Sequence, residues 1–195
     1  MRTSAFEPCI PTRATKVPTS HSWLHEIKHD GYRLIVRSDG KRVRLFTRSG
    51  FDWSDRYPLI TEAALRIGRP RLSWMVRPFC WMLMESQNFD GLHSSRKHND
   101  EVQLYAFDIL VTHGDDLRRL PLTMRKTNLA RLLARRVDGI FISDFERGEI
   151  GPELFRHACL MGLEGLVSKL DDQPYQPGRP PNWVKINNPA SSCRG

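Results

Sequence analysis

Apolar and polar positions alternate with a period of two over Trp23–Ile27, over Tyr32–Ser38 and again over Val43–Phe46, which predicts three strands. The turn Ser38-Asp39-Gly40-Lys41 joins the last two into a hairpin with Leu34, Val36, Val43 and Leu45 inward. Pro58–Ile67 changes period: Leu59, Ile60, Ala63, Ala64 and Ile67 recur at i, i+3, i+4, the mark of an amphipathic helix. Val102–Leu110 reads as a buried strand, and Met124–Arg136 as a basic helix capped by Thr123 with Leu129, Leu132 and Leu133 inward. Ile140–Ile142 is a short strand, and Gly151-Pro152 opens a helix that Gly162 ends after Met161. Strands over Gly165–Lys169 and Trp183–Ile186 flank a loop containing Pro174, Pro177, Gly178, Pro180 and Pro181. There is no internal repeat, and this irregular order of strands and helices predicts an α+β domain.

Before Trp23 the pattern stops. Pro8, Pro11 and Pro18 among threonines and serines make residues 1–22 an extended lead-in. Of the 195 residues 39% are hydrophobic and 27% charged, the composition of a globular chain. The longest apolar stretch, Trp74 to Met84, is broken by Arg77 and Pro78 and is too short to span a bilayer. No apolar signal core follows Met1, so cytoplasmic residence without a membrane partner is expected. Cys9, Cys80, Cys159 and Cys193 are far apart with no C-x-x-C spacing, and the seven histidines do not pair with them, so neither a disulfide framework nor a transition-metal site is expected. The formal charge of +8 is spread along the chain. That suits a folded surface attractive to a polyanion, although a solvated basic face is equally common.

Glu26-Ile27-Lys28-His29-Asp30-Gly31-Tyr32-Arg33 is the segment richest in chemistry. On an extended chain Glu26, Lys28 and Asp30 point the same way, and Gly31 permits a sharp turn behind them. A lysine is thereby offered beside carboxylates at a chain reversal; an exposed ionic cluster before a turn is the plainer alternative.

Lys28-His29-Asp30-Gly31-Tyr32-Arg33 matches K-x-D-G-x-R, the nucleotidyl-acceptor motif of the covalent nucleotidyltransferases. Thr47-Arg48-Ser49-Gly50 resembles their motif Ia, Tyr105–Leu110 motif IIIa, Glu164–Lys169 motif IV and Trp183-Val184-Lys185-Ile186 the first part of motif V. From about Pro8 to Ser191 the chain resembles small bacterial ATP-dependent DNA ligase cores, including the ligase domain of end-joining enzymes. The resemblance implies an ATP-grasp-like nucleotidyltransferase fold of antiparallel sheets flanked by helices. It divides the chain into the lead-in, an adenylation domain over 23–188 and a tail over 189–195, with the usual OB-fold domain absent.

In that family the lysine, here Lys28, attacks the α-phosphate of ATP, releases pyrophosphate and carries AMP to a nick in duplex DNA, the chemistry of DNA repair, recombination and replication. A free lysine is protonated near neutrality, with a pKa of about 10.4. Lys169 and Lys185 would depress that value and bind phosphate charge. The resemblance gives Glu164 to Mg²⁺, with Mn²⁺ as a substitute, Phe107 and Glu26 to adenine beside Ile27, and Arg33 and Arg48 to ribose and the 5′-phosphate of the DNA. End-joining or repair proteins are implied as partners. Taken singly, Phe107 and Trp183 also suit a core, Glu164 and Lys169 an ordinary surface pair, and Arg48 a solvated turn. Arg125, Lys126, Arg131, Arg135 and Arg136 could add phosphate contacts or form a solvated face, and Asp108 reads as structural. An RNA ligase or capping-type enzyme, and a non-catalytic remnant that binds DNA or ATP, are the competing functions.

The family pattern breaks after Ser73. A D-G-E strand is expected there, yet the chain reads Trp74-Met75-Val76-Arg77-Pro78-Phe79-Cys80-Trp81-Met82-Leu83-Met84-Glu85-Ser86-Gln87. Back-translated from the last base of each codon, this stretch yields D-G-E-A-V-L-L-D-V-D-G-V-S-E. Several of those codons are forced: Trp74 into Met75 must give Asp, and Met75 into Val76 must give Gly. Compensating frameshifts near Ser73 and Asn88 are the expected explanation, with Phe89–Ser94 back in frame, and an unrelated insertion is the alternative. A strand carrying Arg77 and Pro78 is expected to harm folding and catalysis, because proline removes a ladder donor and buried arginine needs a partner. Asn187 also stands where motif V usually has a second lysine.

Overall fold

A computed structural model describes residues 7–29, 31–68, 71–80, 102–135 and 138–190. Asp30, Arg136, and Trp81–Gln87 of the aberrant stretch lie outside the described residues, as does Phe89–Ser94. The chain forms two compact units, one from Gly31–Arg119 with Met124–Ile142, the other from Phe6–Asp30 with Leu120–Thr123 and Ser143–Gly195.

In the first unit β3 (Leu34–Ser38) and β4 (Val43–Thr47) form the expected hairpin. They continue through β5 (Leu72–Cys80) and β6 (Val102–Thr112) to the two-residue β7 (Asp115–Asp116), all antiparallel, while β8 (Ile140–Ile142) adds to β6 in parallel. The apolar alternation is the core: Leu34, Val36, Leu45 and Trp74 are all fully buried. Helix α1 (Pro58–Arg66) starts on its proline and buries Ile60, Ala63 and Ala64. Helix α2 (Leu122–Leu132) starts before Thr123, which was expected to cap it. The first-turn N–H groups of Leu122 and Thr123 instead donate to the carbonyls of Gln173 and Asp171, so a side-chain cap is not needed.

The aberrant sequence does form a strand. β5 sits between β3 and β6, and its residues from Trp74 to Val76 are fully buried. Its ladder to β3 ends at the Leu34–Val76 rung, so Pro78 pairs only with β6, opposite Leu104, and the missing N–H faces no second strand. The fit is imperfect: the β5–β6 register shifts between Ser73 and Trp74 and again between Met75 and Val76.

The second unit is a sheet ordered β1 (Thr12–Arg13), β11 (Trp183–Asn187), β10 (Gly165–Leu170), β2 (Trp23–Ile27), β9 (Glu146–Arg147). All pairings are antiparallel except β1 with β11, so part of the extended lead-in is an edge strand. Helix α3 (Gly151–Leu160) follows a 3-10 turn at Gly148–Ile150. It ends as expected, with the N–H of Gly162 bonded to the Cys159 carbonyl and that of Leu163 to Ala158.

Candidate active site

Register alone separates the two faces of the second sheet. Glu26, Val167 and Lys185 share one rung, and Leu24, Lys169 and Trp183 the next but one, so all six side chains leave by the same face. Ile27, Leu166 and Ile186, with His25, Ser168 and Val184, leave by the other. Gly151 abuts the His25 ring on that second face, where a Cβ would come within 2.6 Å of Cε1, so helix α3 covers it. The charged residues are therefore concentrated on the face that α3 does not cover.

On it Lys169 Nζ donates to Glu26 Oε2 at 2.6 Å and lies 4.4 Å from the centre of the Trp183 ring. Both charged side chains are nearly sealed from solvent, at 1% and 5% exposure. Removing one partner of such a pair costs about 3–5 kcal/mol, whereas replacing both by packed apolar groups is often neutral. Its retention thus fits placement of charge better than stability.

Lys28 follows β2 on the same side, its N–H bonded to the Gly165 carbonyl at 2.9 Å, and its ammonium forms an ion pair with Glu164. Gly165 also lets β11 pack closely here, because a Cβ would lie 2.0 Å from the Ile186 carbonyl oxygen. Lys185 is half-buried on the face. Asn187 continues the same alternation, and its Oδ1 is buried without a hydrogen-bond partner. Three lysines against Glu26 and Glu164 give a cationic face with two carboxylates, suited to an anion that brings several oxygens. Glu164 is the carboxylate there that could take a divalent cation. The described residues contain no cluster of three His, Cys, Asp or Glu side chains. That donor set fits magnesium, which keeps waters and substrate phosphates as most of its ligands.

The family model for the ATP dependent DNA ligase domain matches residues 9–187, nearly the whole chain. The chain belongs to the ATP dependent DNA ligase domain family. It is 31% identical over 172 residues to the multifunctional non-homologous end joining protein LigD of Pseudomonas aeruginosa, covering 87% of this chain and 20% of that protein. A probable DNA ligase of Streptomyces avermitilis is 32% identical over 179 residues, 83% of this chain and 34% of the relative. Among solved structures, a mycobacterial DNA ligase D complexed with ATP and MES superposes with a TM-score of 0.81 at 28% identity, covering 94% of this chain and 60% of that one. The ligase domain of Mycobacterium tuberculosis LigD gives 0.80 at 28% identity over the same shares. The chain thus spans a fifth to a third of the curated relatives' length.

Within this ligase domain, Glu26, Lys28, Glu164, Lys169 and Lys185 meet on one sheet face of the second unit. Ile27 directs its side chain to the opposite face, leaving only its backbone beside the lysines. Arg33, Arg48 and Phe107 belong to the first unit: Arg33 is half-buried, Arg48 exposed and Phe107 8% exposed. Phe107 is the extra residue of a β-bulge, for Ala106 pairs with Val76 and Asp108 with Met75. Its carbonyl accepts a hydrogen bond from Lys126 Nζ at 3.3 Å. Arg125 is no surface phosphate contact, because it is fully buried against Asp108 through Nε–Oδ1 and Nη2–Oδ2 bonds of 2.8 and 3.1 Å. Lys126 is buried as well, whereas Arg131 and Arg135 remain exposed. Sequence reading missed this pair and the His25–Ser168 pair. No periodic or motif signal links positions 17 or 143 residues apart.

Proposed function

We propose that this ligase domain is the catalytic core of an ATP-dependent DNA ligase of the bacterial end-joining type, which carries AMP on Lys28 and passes it to the 5′-phosphate of a nick in duplex DNA. The single observation that carries the reading is the cationic sheet face on which Lys28, Lys169 and Lys185 lie with Glu26 and Glu164. In its neutral form Lys28 Nζ attacks the α-phosphorus; an N–P bond forms, the bond to pyrophosphate breaks, pyrophosphate leaves with the electron pair, and the nitrogen releases one proton to solvent. Lys185, with Lys169, supplies positive charge for the phosphate oxygens, and Trp183 fixes the Lys169 head from its ring face. Glu26 anchors Lys169 and presents a carboxylate to the adenine edge. Glu164 would hold Mg²⁺, which supplies charge neutralisation on the phosphates when bound; before nucleotide arrives the same carboxylate keeps the Lys28 ammonium in place. Phe107 stacks on the base, and Arg33 and Arg48 take ribose and the nick phosphate. Cytoplasmic residence and repair-protein partners belong to the same proposal. No described helix is long and apolar enough to cross a membrane.

Incubation with ATP labelled at the α-phosphate tests the reading. Label that stays on the denatured protein in alkali and is released by acid, as a phosphoramidate requires, is expected; it is lost in Lys28→Ala and retained in an exposed-surface variant such as Arg156→Gln. No label on the unaltered chain would favour the remnant that only binds DNA or ATP.

A second reading concerns the coding sequence. Trp74 Nε1 and Ser73 Oγ are buried without hydrogen-bond partners at the very point where the family pattern breaks. Both register shifts fall there too. A buried polar group left unpaired costs about 1–3 kcal/mol. These defects favour the compensating frameshifts, and sequencing the genomic codons from Gly68 to Leu92 decides between a shifted and an intact frame.

A further inference from the structure

The β3–β4 hairpin gathers four cations within eight residues. Arg37 and Arg44 stand directly opposite each other across the two strands, and both are exposed. Like charges in that relation repel, so the pairing costs stability. The connecting loop adds exposed Lys41 and Arg42, against the single acid Asp39. Among the described residues none of these four cations makes a salt bridge. Some other exposed arginines do, among them Arg66 with Glu62, Arg147 with Asp171 and Arg156 with Glu153. The hairpin is rigid below its tip. Val36, Leu45 and Leu34 are fully buried, and the Trp53 and Thr47 N–H groups bond to the Leu45 and Phe51 carbonyls along the outer edge of β4. Four unneutralised cations therefore sit on a fixed two-stranded ribbon, and Arg48 follows β4 at its other end.

We propose that this hairpin is a DNA-backbone track: Arg37, Lys41, Arg42 and Arg44 contact successive phosphates of the duplex beside the nick. The inference takes the identity of the polyanion from the ligase reading and adds a contact surface outside the lysine face. The dimensions agree. Arg37 and Arg44 share a rung one step below the turn that carries Lys41 and Arg42, so the four cations lie within about 10 Å along the ribbon, the rise of about three base pairs. The contact carries no sequence information, because phosphates position and do not specify. An edge strand also uses cations to ward off pairing with other chains, which is the rival explanation.

Binding of a fluorescent nicked duplex to the whole chain, followed by anisotropy over a series of salt concentrations, separates the two. Each phosphate contact contributes about 0.9 to the slope of log affinity against log salt. The pair Arg37→Gln/Arg44→Gln, and separately the loop pair Lys41→Gln/Arg42→Gln, are each expected to reduce that slope by about 2. The control Arg66→Gln/Arg156→Gln, which removes two exposed cations elsewhere, is expected to leave it unchanged. An unaltered slope in both hairpin pairs overturns the proposal, with or without new self-association, as does an equal fall in the control. The loop pair lies outside the ladder, so misfolding of the strand pair cannot imitate the result. Absence of α-phosphate label on the unaltered chain would overturn the ligase reading instead, and a reduced hairpin slope would still identify a DNA contact.

Discussion

His25 is a histidine without a surface role. Its ring is fully buried, with Nε2 2.9 Å from the Gly148 carbonyl and Nδ1 2.8 Å from Ser168 Oγ. A carbonyl can only accept, so Nε2 carries the proton and Nδ1 accepts from the serine hydroxyl. Burial pushes the pKa of the ring below its ordinary 6.5, against a smaller opposing effect of the Gly148 bond. The unfolded chain therefore binds the extra proton more readily than the folded one, and stability is lost as pH falls below about 6.5 towards the folded pKa. Melting temperatures between pH 7.5 and 5 are expected to drop in the unaltered chain and to drop less in His25→Gln; parallel curves would refute this. Asp116, held below its ordinary 3.8 chiefly by its hydrogen bond to Arg118, acts only at lower pH. The Asp108–Arg125 pair obeys a different rule. Asp108→Leu or Arg125→Met alone leaves a charge buried and is expected to cost about 3–5 kcal/mol, while the double variant costs clearly less. Denaturant midpoints of the three variants check the non-additivity.

Among the elements, β5 is the one whose sequence and place disagree. A strand carrying Trp74, Met75, Arg77 and Pro78 fills the middle of a sheet at the cost of two register shifts and an unpaired indole N–H. Replacing Trp74–Gln87 by D-G-E-A-V-L-L-D-V-D-G-V-S-E is expected to raise both thermal stability and the yield of lysyl-AMP. A restored chain that labels no better and melts no higher would sink the frameshift reading. The other strands were readable because their pattern is local: alternation in Trp23–Ile27 and Val43–Thr47, and the glycine ending helix α3 at Gly162, need no partner to be seen. Thr123 misled because its helix start is satisfied by carbonyls near Asp171, a contact no short window contains. The same limit applied to the site. Lys28, Glu164, Lys169 and Lys185 stood out through motifs, whereas the face shared by Glu26, Lys169 and Lys185 followed only from strand register, and the place of Glu164 from its ion pair with Lys28. The side-chain direction of Ile27 likewise needed the pairing of β2 with β10.

At the scale of the molecule, the two ends of the sequence build the unit that carries the lysine face and the middle builds the other. Glu26 and Lys169 meet although 143 positions separate them. Such long-range pairing is slow to form, since loop closure must precede the contacts that reward it. The formal charge of +8 also takes on structure: lysines gather on one sheet face of the second unit, arginines on a hairpin of the first. The short strand β1 bears on practice. Residues before Trp23 look disposable, and a laboratory seeking a tidier reagent would trim them. Yet Thr12 and Arg13 shield the free side of β11, and the Ala14 N–H bonds to the carbonyl of Lys185. Trimming would bare a sticky backbone edge beside Lys185, so shortened reagents would clump and lose labelling capacity together, a failure easily misread as evidence of an inactive enzyme.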